Sequence, residues 1–312
     1  MKANASDGSV ATAAGAEALI ADPADLPVVV PSISQWEAAR RAFAKDRASV
    51  VALVFLALVA VICLLAPYIS PHDPYEAVAS RNAPPGSAGL LLGTDGDGRD
   101  VLSRLLWGGR VSLLVGLLPT LLATIASLAI GIAAGYAGGW FDQIVMRILD
   151  IFFAFPLVLV AIVVAGILNP GLATIVIAIF IALVPYITRL VRTTTVSVKT
   201  RSYIEAARAA GAGVWAILTR YVLPNTVPPV IVYATTLLGM MMVLGSALSF
   251  LGLGIQPPAA DWGLMVAEGR TVLRKAPHIT IFPGVLIVLV ALAFGFVGDG
   301  LRDALDPRAR SR

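Results

Sequence analysis

The sequence predicts an all-α polytopic membrane protein with six transmembrane helices, and three observations carry that expectation. Of its 312 residues, 58% are hydrophobic and only 13% are charged, giving a mean hydropathy of +0.87. That is more apolar surface than a water-soluble domain can hide. Six apolar stretches are each long enough to cross roughly 30 Å of hydrocarbon at about 1.5 Å per residue. The basic residues gather on one side of the topology those stretches imply.

Residues 1–32 are rich in Ala, Asp and Pro and lack the leucine-rich core of a cleaved signal, so they are expected to form a disordered cytoplasmic tail. Ser34 and Glu37 have capping-box spacing. With Arg40, Arg41, Phe43, Lys45 and Arg47 they suit an interfacial amphipathic helix over 33–48. The membrane domain then runs over 49–308, its spans near 50–66, 112–137, 144–168, 172–191, 227–250 and 279–297. Asn169-Pro170-Gly171 makes the tight turn between the third and fourth spans. Cys63, the single cysteine, excludes an intrachain disulfide and reads as a small packed hydrophobe.

An even number of spans puts both termini on one side. With that side cytoplasmic, only Arg81, Arg99, Arg104, Arg110, Arg270, Arg274 and Lys275 of the 23 basic residues fall outside. The bias fixes the orientation and accounts for the net charge of +4 without invoking nucleic acid. The outer loops are then 67–111 and 251–278, and the polar gap at 193–225 is cytoplasmic.

That gap reads as two short helices. Helix formers fill 203–210, Gly211 and Gly213 interrupt them, and 214–222 resumes before Pro224 stops the chain. On the residues alone this is equally an ordinary amphipathic connector or a pair of levers tied to the fourth and fifth spans. Glu205-Ala206-Ala207-Arg208, then Gly211, then Leu223-Pro224 at its spacing resembles the EAA motif of ATP-binding-cassette importer permeases. Tyr221 departs from the aliphatic residue that family carries two places before Leu-Pro.

Leu92-Gly-Thr-Asp95-Gly-Asp-Gly-Arg99-Asp100 resembles the signature of the dipeptide/oligopeptide subfamily. So do Met146 to Asp150 with Phe155-Pro156, Ser249 to Gly254 with Pro257-Pro258 and Asp261-Trp262-Gly263, and the ending from Gly298 to Pro307. Together they cover about residues 35–308, and the chain looks like the second of that subfamily's two permeases. The resemblance implies the type I ABC importer permease fold and a loop that docks on a cytoplasmic ATPase. It implies as partners a homologous second permease, two ATP-binding-cassette subunits and an extracytoplasmic binding protein. The cargo it implies is di- or oligopeptide, with nickel chelates, glutathione or another small solute as the alternative. ATP and Mg would sit on the ATPases, leaving no cofactor in this chain, which would lie in the bacterial inner membrane among its lipids.

Other residues point less sharply. Asp261 and Trp262 lie in a Pro- and Gly-rich segment read as a re-entrant or surface element at the outer mouth, with one helical piece near 262–273. Asp150 lies inside the third span, where a carboxylate marks a pathway unless it pairs with Arg147 three positions earlier. Met240, Met241 and Met242 suit either an adaptable gate or plain packing. Gly131, Gly135 and Gly139 permit close helix approach. Asp95, Asp97, Arg99 and Asp100 are expected to cap the second span and pair with Arg104 or Arg110. No Gly-Lys-Ser/Thr phosphate loop occurs, and His72 and His278 stand apart, so neither ATP binding nor zinc chemistry is expected of this chain. An ion-driven secondary transporter would call for inverted repeats and several membrane-embedded acids, and neither is visible.

Overall fold

A computed structural model describes residues 35–305; the tail at 1–32, the capping role of Ser34 and the last residues lie outside them. The chain divides into residues 1–38, of which only the first turn of one helix is described, and residues 39–312, which carry everything else. Helices α1 (Gln35–Lys45), α2 (Arg47–Leu64) and α3 (Ala66–Ile69) open the chain. They are followed by α4 (Val101–Ala137), α5 (Gly139–Phe153), α6 (Leu157–Ile167), α7 (Leu172–Lys199) and α8 (Ser202–Ala209). Helices α9 (Val214–Ile217), α10 (Leu223–Phe250), α11 (Trp262–Gly269) and α12 (His278–Leu305) complete it. Among the described residues there is no strand, only isolated bridges joining Ala77 to Arg99 and Thr94 to Asp100.

Five helical runs are long and apolar enough to cross a membrane: α2, α4, α7, the run Val214–Phe250, and α12. The sixth expected span is broken. Helices α5 and α6 meet at 89° across residues 154–156, because Pro156 has no N–H to give and holds Phe155 away from helical geometry. The expected interfacial helix over 33–48 also divides. Helix α1 ends at Lys45, and the Asp46 carboxylate accepts from the N–H groups of Ala48 (3.2 Å) and Ser49 (3.3 Å) to start α2.

Helix α4 begins at Val101 rather than at residue 112. Asp100 caps it by accepting from Leu102 N (3.3 Å) and Ser103 N (3.1 Å), and Arg104 is fully buried against Asp95 and Glu268. Helices α4 and α7 lie side by side where α4 has no side chains. A Cβ at Gly135 would sit 2.9 Å from that of Thr195, whereas Gly139, past the end of α4, meets nothing within 4 Å. Val115, Ala123, Ile175, Ile179, Leu183, Met241 and Leu248 form the core around this pair. A second core joins α2, α4, α10, α11 and α12 through Leu56, Cys63, Leu105, Met242, Trp262 and Val290.

Candidate functional site

The connection from α7 to α10 is a folded unit with an apolar underside. Ile204, Ile217, Val198 and Val222 are buried together, flanked by Ile132 and Tyr136 of α4. Tyr136 anchors it. Its carbonyl accepts from Lys199 Nζ at 2.6 Å, and Lys199 Nζ and the Arg208 guanidinium lie 5.5 and 5.6 Å from its ring centre.

Helix α8 ends in a Schellman turn. Ala212 N donates to Ala207 O and Gly211 N to Arg208 O, with Gly211 at φ +82°, a conformation glycine adopts without strain. This geometry buries Ile204 and Ala207 and turns Glu205, Ala206 and Arg208 outward. Tyr221, the departure from the family pattern, lies 6.2 Å from the Tyr203 ring, and this aromatic contact occupies the aliphatic position.

Pro224 does not stop the chain, contrary to the sequence expectation. A π-turn at Leu218–Val222 carries α9 directly into α10, with Leu223 N donating to Leu218 O. Proline at the start of α10 leaves open only the carbonyls of the turn before it. Leu223 and Pro224 are exposed, and Asn225 Nδ2 donates to Tyr221 O at 2.6 Å. The loop also presents Trp215, 77% exposed, and Val214, which the motif reading did not single out. The loop thus carries an exposed acid, an exposed base and a bare indole on a braced support.

The comparisons with known proteins concern the same chain. The family described as binding-protein-dependent transport system inner membrane component matches residues 127–311, more than half of the chain. The chain belongs to that family. The N-terminal TM domain of oligopeptide transport permease C matches residues 34–85 of this permease. The glutathione transport system permease protein GsiD of Pectobacterium atrosepticum is 42% identical over 292 residues, covering 92% of this chain and 97% of that protein. Its counterpart in Shigella flexneri is 42% identical over 288 residues, covering 91% and 95%. A crystallised amino acid ABC transporter with histidines overlaps 64% of this permease and 94% of its own chain, at TM-score 0.41 and 16% identity. This permease is therefore an all-helical, multi-pass inner-membrane subunit of a transporter, with the type I permease fold, and not an enzyme.

The remaining candidate residues fall in three places. Asp261 and Trp262 are each 1% exposed and therefore line no open mouth. The Asp261 carboxylate caps α11, accepting from Leu264 N at 3.2 Å and from Ser112 Oγ at 2.6 Å. Trp262 N donates to Ser112 Oγ, and its indole N–H donates to Leu105 O at 2.9 Å. Burial raises the Asp261 pKa above the usual carboxylate range, against the lowering effect of its hydrogen bonds. Only glycines fit beneath this node: a Cβ at Gly108 would press on the Asp261 backbone, and one at Gly263 on the Ser246 carbonyl.

Met240, Met241 and Met242 share no face. Met240 is 49% exposed, Met241 lies in the first core and Met242 in the second, because successive helical residues point about 100° apart. Two of the three are packing residues, which removes the three-methionine gate.

Asp150 pairs with Arg189 of α7 at 2.6 Å and not with Arg147. Leu149 faces the interior, and Arg147 lies about 200° round the helix from it, on the far side. No local pattern pointed to that partner, which is 39 positions away. The acidic cluster ahead of α4 is structural. Asp95 contacts both Arg99 and Arg104, and Glu268 of α11 closes on Arg104 at 3.0 Å. Arg110 lies instead over the Trp107 ring, 5.3 Å from its centre.

Proposed function

We propose that this permease is one of two membrane subunits of an ATP-driven importer of short peptides, with glutathione as the foremost cargo. The relatives that support this are named for glutathione transport and align along nearly the whole of this chain. A second reading, di- and oligopeptides more broadly, is favoured by the match of residues 34–85 to the oligopeptide permease C domain. In either case cargo arrives on an external binding protein, and ATP with Mg binds to two separate ATPase subunits. Both termini and the loop at 193–225 face the cytoplasm.

Glu205, Ala206, Arg208, Gly211, Leu223 and Pro224 form the ATPase-docking surface, with Ala207 packed beneath it and Trp215 as an aromatic anchor of the kind that dominates protein interfaces. Closure of the ATPase pair displaces α8 and the continuous helix Val214–Phe250, biasing a two-state packing of the spans between inward- and outward-open forms. The test is ATP-dependent uptake into proteoliposomes holding this chain with its partner permease, ATPases and binding protein. Labelled glutathione and a pool of di- to pentapeptides are offered to wild type and to Glu205→Lys. Glutathione accumulation that the substitution abolishes, with the complex still assembled, is the expected result. Accumulation of ordinary peptides without glutathione shifts the reading to the second cargo class. ATP turnover with neither cargo entering refutes the peptide assignment.

A further inference from the structure

Asp150 and Arg189 are joined at 2.6 Å, yet their side chains remain 48% and 51% exposed. Arg189 lies in α7, near the cytoplasmic end of its expected span at 172–191, and Asp150 in the first limb of the bent α5–α6 pair. Charged groups in such segments face a water-filled cavity or a polar partner, because hydrocarbon does not tolerate them. The pair is closed on one side by its own contact and open on the other.

The backbone gives an independent sign at the same place. Just past Asp150 the helix breaks and turns through 89°. Irregular backbone at membrane depth persists only beside protein or a water-lined cavity, and interrupted helices are where transporters build solute sites. The two charges are also held in place. The Arg189 guanidinium lies 3.9 Å above the Phe153 ring, which tilts against Tyr186 with ring centres 4.7 Å apart. That aromatic shelf fixes the cation from below and leaves its edge and the carboxylate accessible. The neighbouring Asp142–Arg192 pair is different. It is bidentate, at 2.9 and 2.6 Å, its carboxylate is 12% exposed, and it fastens α5 to α7. Of the two pairs joining these helices, one is closed and structural and the other is open.

We propose that Asp150 and Arg189 form a cargo-contact site for zwitterionic short peptides. Asp150 receives a terminal ammonium group and Arg189 a carboxylate, so that passing cargo replaces each member's partner with a group of the same charge. No charge is left bare at any stage, which keeps the passage free of a large desolvation barrier. The site rests on the peptide-cargo reading above.

The test compares uptake of one tripeptide in three forms: free, N-acetylated and C-amidated. Wild type, Asp150→Asn and Arg189→Gln are assayed with the same binding protein, whose own selectivity cancels in each variant-to-wild-type ratio. Asp150→Asn is expected to lower kcat/KM for the free peptide by roughly tenfold and for the N-acetylated form by less than about twofold, since only the former loses a charge-assisted hydrogen bond. Arg189→Gln should spare the C-amidated form in the same way.

Equal losses for all three forms would reduce the pair to a structural contact and overturn the proposal. If the neutral variants do not assemble, Asp150→Glu and Arg189→Lys keep the charges and should shift selectivity in the same directions by smaller factors; unchanged selectivity there overturns it equally. Wild type moving no peptide at all defeats the cargo reading and this site together, whereas normal wild-type uptake with form-independent losses defeats only the site.

Discussion

Replacing Gly131 with alanine tests the helix contact on which the whole bundle rests. A Cβ there would lie 2.6 Å from Val191 Cβ, 2.7 Å from its Cγ1 and 2.9 Å from the Thr188 carbonyl oxygen. Carbon atoms prefer about 3.5–4.0 Å, so the overlap approaches about 1 Å against a β-branched side chain that is stiff at χ1 and a backbone atom fixed in its own helix. Overpacking of this kind costs about 1–3 kcal/mol. Alanine returns about 0.5–1 kcal/mol through its better helix propensity, leaving Gly131→Ala less stable than wild type by about 1 kcal/mol at the midpoints of those terms and by about 2.5 kcal/mol at most.

Gly295→Ala is the control. It sits in α12 with nothing within 4 Å of the new Cβ, so only the propensity gain applies. The assay is reversible unfolding by SDS in mixed micelles, followed by circular dichroism. Gly131→Ala as stable as wild type, or both variants shifting alike, would refute the reasoning that α4 and α7 are held by a bare-backbone contact.

Two further outcomes follow from the loop and from the segment before α4. Gly211 has open space around it but a φ of +82°, so Gly211→Ala should cost about 1 kcal/mol of strain without a clash. Cargo moved per ATP hydrolysed should fall, and Gly211→Asn, whose side chain tolerates that backbone, should recover most of it; equal behaviour of the two variants would disprove the strain argument. For Asp95, burial pushes the carboxyl pKa up, but the Arg104 charge and the backbone N–H groups of Arg99 and Asp97 outweigh it and leave the value below the usual one. Its folded pKa being depressed, the stability it contributes is present above the unfolded value of about 3.9 and is lost as pH falls below that. Hydrogen exchange across residues 70–100 should therefore accelerate below about pH 4 in wild type, and Asp95→Asn should lack that step.

How much of this was legible follows from where each signal resides. The spans were legible because an apolar run is a local property, and the two short helices of the 193–225 loop because their residues are contiguous. The beginning of α4 was not: Arg104, Trp107, Gly108, Gly109 and Arg110 give residues 101–111 the look of a loop. They become helical because Arg104 is neutralised by Asp95 and Glu268, the latter far along the chain, and because the two glycines admit Asp261, Cys63 and Trp262. Each compensation is tertiary, so no window of sequence contains it. The same reason hid Arg189 from Asp150. The outward reading of Asp261 and Trp262 failed similarly, since a Pro- and Gly-rich stretch looks exposed until Ser112 and Leu105 supply its hydrogen bonds.

The π-turn that the sequence hid has a mechanical consequence. Two separate helices ending at Pro224 would let the docking loop rock without moving the fifth span. One helix over Val214–Phe250 spans about 55 Å at 1.5 Å per residue, so a displacement at Val214 and Trp215 is carried to Gly245 and Ser246. There the helix has no slack: Val115 of α4 leaves no room for a Cβ at Gly245, and Ser246 leaves none at Gly263 of α11. Gly263 follows Asp261 and Trp262, the node that bonds α11 to α4. Motion imposed at the loop must therefore either shift α11 against α4 or bend the helix at Pro228 and Pro229, its interior prolines. The buried Asp261–Ser112 contact is one of the bonds that oppose the first of these, so under the proposed coupling it resists a push from the loop.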